Sequence, residues 1–444
     1  MNKKFIYPAL LVIFFALTAF VVIKYKFHNK YIADYPLKER KGPTALLPEW
    51  PAVKSNGEKL FRIVSEKPDE IKSTIALASL YIQEARITGD YEYYDAAAMK
   101  YIDDVLARQS QNFQALILKA ILQLSQHHFS DALETAAIAQ KINPYNAFVY
   151  GIMVDGNVEM GNYAEAVTNS DKMISIRPDI RSYSRVAYLR EIHGDYPGAI
   201  EAMKMAVGAG AYGDEGTEWA RVQLGHLYEN TGDLKSAEMH YTIVLDERPG
   251  FGYALAGLGH IAMGNKDYEK ALKYYLQADE AINDFALKEQ IAELYLQMGE
   301  SKKADAVIGT IIKGLTNTSS SGEQKLNHHA DKELAYVYIL KNDYNNALKH
   351  ALVEYSRRPE NIDVNEAVAW AYYKKGDNQK AVPYIEKALR TNSKNPTLLC
   401  HAGIIYAGSG QKEKAKNLLR EALNADPNIE PGLKKQSKEL LRSL

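Results

Sequence analysis

Apolar positions along this chain follow a helical period that is broken and restarted at intervals of 33 to 43 residues. The stretch from Thr217 to Pro249 shows the unit. Leu224, Gly225 and Tyr228 fall at i, i+1 and i+4 on one helix face, Gly232-Asp233 breaks that helix, and Ala237, Tyr241 and Val244 recur at i, i+4 and i+7 on the next. Pro249 stops the second helix. The pattern predicts a helical hairpin in which Gly225 and Ala237 let the two axes approach at the short end of the usual ~8–10 Å range. A lone hairpin cannot bury both of its apolar sides, so it needs copies of itself on each flank.

The copies are present. The alanine that opens the second helix recurs as Ala98, Ala132, Ala166, Ala199, Ala237, Ala271, Ala304, Ala347, Ala381 and Ala415, at intervals of 34, 34, 33, 38, 34, 33, 43, 34 and 34 residues. The small residue of the first helix recurs as Ala120, Ala187, Gly225, Gly259, Ala292, Ala335, Ala369 and Gly403, and the closing proline as Pro144, Pro178, Pro249, Pro359 and Pro427. Over residues 68–428 this resembles the tetratricopeptide repeat (TPR) family, whose ~34-residue period and Leu-Gly-x-x-Tyr, Ala-x-x-x-aromatic and Pro pattern these positions match. The resemblance implies an all-α fold: a right-handed superhelical α-solenoid of about ten helical hairpins, with a binding groove along its concave side.

The spacing also locates what is irregular. Tyr91-Glu-Tyr-Tyr94 adds about four residues between the break at Gly89-Asp90 and Ala98. Residues 208–216 and 313–324 account for the two long intervals and read as mobile polar or Gly-rich loops. Residues 56–67 read as a capping helix under the first repeat and 429–444 as a Lys-rich amphipathic cap over the last. Residues 24–55, with Pro36, Pro43, Pro48 and Pro51, read as a linker that cannot sustain a helix.

Residues 5–23 carry no charge, lie between Lys3-Lys4 and Lys24, Lys26 and Lys30, and would span about 28 Å as a helix. They are read as an uncleaved transmembrane signal-anchor helix behind a short tail, 1–4, because a cleaved signal peptide usually has an apolar core of only ~7–15 residues. This predicts a single-pass membrane protein. Its body is placed on the extracytoplasmic (periplasmic) side, as in similar bacterial membrane-anchored or exported TPR proteins, although the lysines after the span favour the cytoplasmic side.

Charge and candidate chemistry narrow the function. The formal net charge is −1, and residues 1–50 hold eight Lys/Arg against three Asp/Glu, which leaves a mildly acidic body without basic clusters. That argues against nucleic acid as a partner. The single cysteine, Cys400, excludes an intrachain disulfide. Gly208-Ala-Gly-Ala-Tyr-Gly213 matches a dinucleotide fingerprint in letters, but a helix precedes it and Asp214-Glu215 would repel phosphate. His127-His128 and His328-His329 are adjacent pairs whose side chains would point ~100° apart on a helix, so neither clamps a metal alone and both read as exposed polar residues. No nucleophile–base, paired-carboxylate or phosphate-loop constellation can be assembled on defined elements. An enzyme is not expected, nor is a cofactor or a metal.

In the family, positions 2, 5, 9 and 12 of each repeat face the groove. With the recurring alanine as position 20, these hold Tyr188, Trp219, His226, Tyr253, His260, Tyr336 and Trp370, with Glu229, Glu289, Glu293 and Glu366 among them. Members that clamp a C-terminal carboxylate use Lys and Asn at positions 5 and 9, where this chain has Val222 and His226, then Ala256 and His260. No such clamp is expected. Aromatic rings beside acids suit an extended peptide with apolar and basic side chains. A two-histidine metal site of His226, His260 and Glu293 would have to close across helices roughly 8–10 Å apart. The expected function is a membrane-tethered scaffold or adaptor that binds a protein or peptide partner, for assembly of a complex. The alternative is a binder of cell-envelope polysaccharide or peptidoglycan fragments.

Overall fold

Antiparallel helix pairs succeed one another through the computed structural model, which describes residues 15–20, 35–320 and 328–444. A 3-10 turn, Gly42–Leu46, and helix α1, Trp50–Glu66, precede the first pair, α2 (Ile71–Thr88) and α3 (Tyr91–Arg108). Then come α4 (Phe113–Ser125) with α5 (Phe129–Ile142), α6 (Ala147–Met160) with α7 (Tyr163–Ile176), and α8 (Ile180–Ile192) with α9 (Tyr196–Gly208). The middle holds α10 (Glu215–Asn230) with α11 (Leu234–Glu247), α12 (Gly252–Gly264) with α13 (Tyr268–Ala281), and α14 (Phe285–Gln297) with α15 (Ser301–Ser320). The last pairs are α16 (Asp331–Leu340) with α17 (Tyr344–Arg357), α18 (Ile362–Lys374) with α19 (Asn378–Ala388), and α20 (Pro396–Gly408) with α21 (Lys412–Leu423), before a final α22 (Pro431–Ser443). The described residues contain no strand.

All ten recurring alanines are fully buried, where the two helices of a pair touch. The breaks share a construction. The residue ending the first helix adopts a left-handed backbone, supplied by glycine in seven repeats and by His127, Lys266 and Asn342 in the other three. The residue after it opens the second helix, and Asp90, Asp195, Asp233, Asp267 and Asp343 cap it by accepting a hydrogen bond from the N–H three residues on. Tyr91–Tyr94 form an additional first turn of α3, which has 18 residues against 14 in α11. The loop expected at 313–324 begins instead as helix, because Ile308, Ile311 and Leu315 extend one buried stripe along α15. Residues 321–327 lie outside the described residues. After Gly208, Asp214 caps α10 by accepting from the Gly216 N–H, which puts a carboxylate where a phosphate would sit.

Successive turns of the superhelix touch, with contacts recurring about six repeats apart. A Cβ built on Gly161 would lie 2.2 Å from the carbonyl oxygen of Glu360, and one on Gly232 1.8 Å from that of Ala425. Side chains join the same seam: Asn361 donates to the carbonyl of Glu159 (3.0 Å), the Ile362 N–H to Tyr163 Oη (3.0 Å), and the Asn428 N–H to the carbonyl of Glu229 (3.2 Å). These contacts close the expected concave groove laterally, between one turn and the next.

The expected linker is corrected as well. Residues 35–49 lie against the first repeat: Tyr93 Oη donates to the carbonyl of Pro36 (2.6 Å), and the buried Arg40 guanidinium pairs with Glu84 at 2.9 and 2.6 Å while resting 4.8 Å from the Trp50 ring. Glu49 accepts from Arg248 at 2.8 Å, tying this strap to the next turn. Helix α1 begins at Trp50, ahead of the expected 56, because Pro51 occupies the first turn, where a missing N–H breaks no helical bond.

The membrane placement does not stand. Among the described residues no helix is long and apolar enough to cross a membrane, for which about 20 apolar residues are needed. Of the expected anchor at 5–23, residues 15–20 are described, as helix, and the remainder lie outside the described residues. The single-pass and periplasmic assignments fall with it.

Candidate functional site

The first helices of five consecutive pairs, α6, α8, α10, α12 and α14, wall an interior cavity of about 530 Å³. Five of the expected groove residues meet there: Tyr188, Trp219, His226, Glu229 and His260. Glu229 is the fixed point. Its Oε2 lies 2.6 Å from His260 Nδ1 and accepts from Asn428 Nδ2 at 2.7 Å, while Oε1 accepts from Tyr241 Oη. One carboxylate thus joins its own hairpin, the next repeat and the next superhelical turn.

Burial opposes the charge on Glu229, but His260 outweighs it and holds the carboxyl below its ordinary value. The same contact outweighs burial at His260 and holds that imidazole above its ordinary value. His226, packed edge-on against Tyr241 at 5.7 Å, is pushed down by burial. The two histidines therefore take different partners.

Elsewhere inside, acids dominate. Burial, then the neighbouring Glu293, pushes Glu289 up to about 8, and burial, then Glu430, pushes Glu293 up to about 7. Burial takes Glu191 to about 7. Lys332 stays above its ordinary value despite burial, because Glu333, Asp363 and Glu159 surround it.

The remaining expected residues are placed apart. Glu289, Glu293 and Tyr336 are half-buried and lie outside that cavity's wall. Tyr253 borders a small cleft with Arg86, Glu215 and Pro43, beside the N-terminal strap. Trp370 is only 6% exposed and is stacked 3.8 Å from His401, which is held by Glu366 at 2.8 Å, so it is wall rather than lining. Sequence reasoning passed over Ser184 and Glu191, although they share positions 5 and 12 with residues it named. It could not find Glu159 and Asn230 at position 13 or Gln223 and Gln290 at position 6, which reach the cavity because the superhelix is closed.

The histidine pairs are also corrected. They are half-buried and face each other across the seam, with 4.4 Å between the rings of His127 and His328 and 3.9 Å between those of His128 and His329. A chain separation of about 200 residues hid this pairing from any local motif.

The tetratricopeptide repeat profile matches residues 222–284 and 372–434. Both segments are tetratricopeptide repeats. It is 25% identical over 209 residues to a TPR repeat-containing protein of Methanocaldococcus jannaschii, covering 37% of each chain. It is 22% identical over 314 residues to Superkiller protein 3 of Saccharomyces cerevisiae, covering 68% of this chain and 20% of that one. The chain thus spans little more than a third, or less, of the length of these curated relatives. A crystal structure of a tetratricopeptide repeat protein from Parabacteroides merdae aligns with a TM-score of 0.35 at 21% identity, over 59% of this chain and 97% of that one.

Proposed function

We propose that this repeat scaffold holds an extended segment of a protein partner, with apolar and basic side chains, in its acidic and aromatic interior, and so assists the assembly of a complex. The observation that carries the reading is the meeting of Tyr188, Trp219, His226 and His260 in one cavity whose remaining charges are carboxylates. Rings that bury large area at low entropic cost dominate peptide affinity, and a surrounding negative field selects basic segments.

A photo-crosslinking residue at Gln223 captures the partner in the native cell. Tyr188→Ala combined with Trp219→Ala then weakens its binding by about 2–4 kcal/mol with the helix signal unchanged. Unaltered affinity in a folded double variant removes the interior from consideration. The pH dependence has a definite sign. Glu191, Glu289 and Glu293 release their protons near pH 7–8 in the folded chain, against about 4.3 when unfolded. Affinity for a basic segment therefore rises from pH 6 to 8.5. Over the same window stability falls, since the folded state holds the extra protons.

A further inference from the structure

We propose that His127, His328 and Glu333 bind one divalent transition-metal ion of the zinc class, which fastens one superhelical turn to the next. One ligand atom from each of the three lies within 4.8 Å of the other two. Zinc with bonds of ~2.0–2.1 Å holds tetrahedral ligand atoms ~3.3 Å apart, so side-chain rotation over about 1–2 Å closes the site. A nitrogen–nitrogen–oxygen set with one position left open suits zinc and its neighbours, whereas calcium and magnesium take oxygen.

Three separate observations point to an ion. Glu333 Oε2 is buried without a hydrogen-bond partner, an arrangement that is costly for a carboxylate unless a cation takes the lone pair. His127 Nδ1 lies 2.9 Å from the carbonyl oxygen of His329. A carbonyl can only accept, so the proton sits on Nδ1, which also lies 3.9 Å from Glu333 Oε1, and Nε2 is the nitrogen that a ring rotation would offer to an ion, the arrangement in which a backbone carbonyl steadies a metal-bound imidazole. Finally, His127 has a φ of 60° at a break that glycine fills in seven of ten repeats. Lys266 and Asn342 bear the same conformation, but here it sets an imidazole against the neighbouring turn.

The electrostatics agree with this geometry. Burial pushes the His127 imidazole below its ordinary value and takes that of His328 down to about 4, both toward the neutral form that binds a metal. Burial opposes the charge on Glu333, but the adjacent Lys332 ammonium helps hold its carboxyl below its ordinary value. All three residues lie in the wall of a cleft of about 860 Å³ between the turns, through which an ion enters and a water completes the coordination.

The test uses the full chain, stripped with a chelator and titrated with Zn(II), or with Co(II) for its visible absorption. The expected result is one ion per chain at micromolar affinity or tighter, a tetrahedral Co(II) spectrum, and slower amide exchange at 126–129 and 328–334. His127→Gly restores the residue other repeats use, so it keeps the fold while weakening binding about 100-fold or more. Glu333→Gln weakens it at least tenfold. Zinc binding of undiminished strength in folded His127→Gly overturns the proposal, as does failure of the unaltered chain to bind zinc below ~1 mM.

Discussion

Where the first helix of a repeat carries glycine, the residue sixteen positions later is large. A Cβ on Gly225 would lie 2.4 Å from the Tyr241 ring, one on Gly259 2.5 Å from Tyr275, and one on Gly403 2.6 Å from Leu419. Three of the repeats with alanine at that site place Ala136, Met203 and Ala351 opposite it. Each pair fills one interhelix volume. Gly259→Ala should accordingly cost about 1–3 kcal/mol by overpacking. Adding Tyr275→Met, which copies the Ala187 and Met203 pair, should recover part of that loss in a urea-denaturation double-mutant cycle. Strict additivity would show that the two sites do not share a volume. The glycines were legible in the sequence as places of close approach. Their partners were not, because the pairing runs across a hairpin between faces that a single helix period does not connect.

The N-terminal strap shows the limit of reading an element from its own residues. Four prolines marked residues 24–55 as a linker unable to sustain a helix, yet α1 begins at Trp50, and they gave no sign that residues 35–49 would find buried partners. Arg40 and Glu84 supply them, with both side chains fully withdrawn from water. Such a pair is expensive to break from one side, since the remaining charge stays buried and unpaired. Arg40→Met should therefore destabilise the chain by about 3–5 kcal/mol, whereas Arg40→Met with Glu84→Leu should restore much of it. Chemical denaturation measures both, and protease cleavage within 35–49 should appear in the single variant. Equal losses in the single and double variants would mean that the ion pair does not hold the strap.

Turn-to-turn contact makes the whole molecule more than a nearest-neighbour array. Gly161 and Gly376 occupy the same left-handed break, but a Cβ on Gly161 would collide with the next turn while one on Gly376 meets nothing within 4 Å. Alanine at either position pays the same backbone strain, about 1 kcal/mol or somewhat more. Only Gly161→Ala should open the seam, raising amide exchange at both 158–163 and 358–362 and enlarging the radius of gyration in solution scattering. Identical behaviour of the two variants would show that the turns do not constrain one another.

Local spacing was sufficient to determine the hairpins, their breaks and their buried alanines, because each depends on residues within about one repeat, where helix period, cap and left-handed turn are all encoded. The family resemblance, carried over at that spacing, put Tyr188, Trp219, His226, Glu229 and His260 on one face. That neighbouring turns close over that face was decided by contacts such as Gly232 with Ala425 and Asn428 with Glu229, which join residues about 200 positions apart. The meeting of His127 with His328 was decided in the same way. Small rotations between successive repeats accumulate into the pitch of the superhelix, and no single repeat contains that sum.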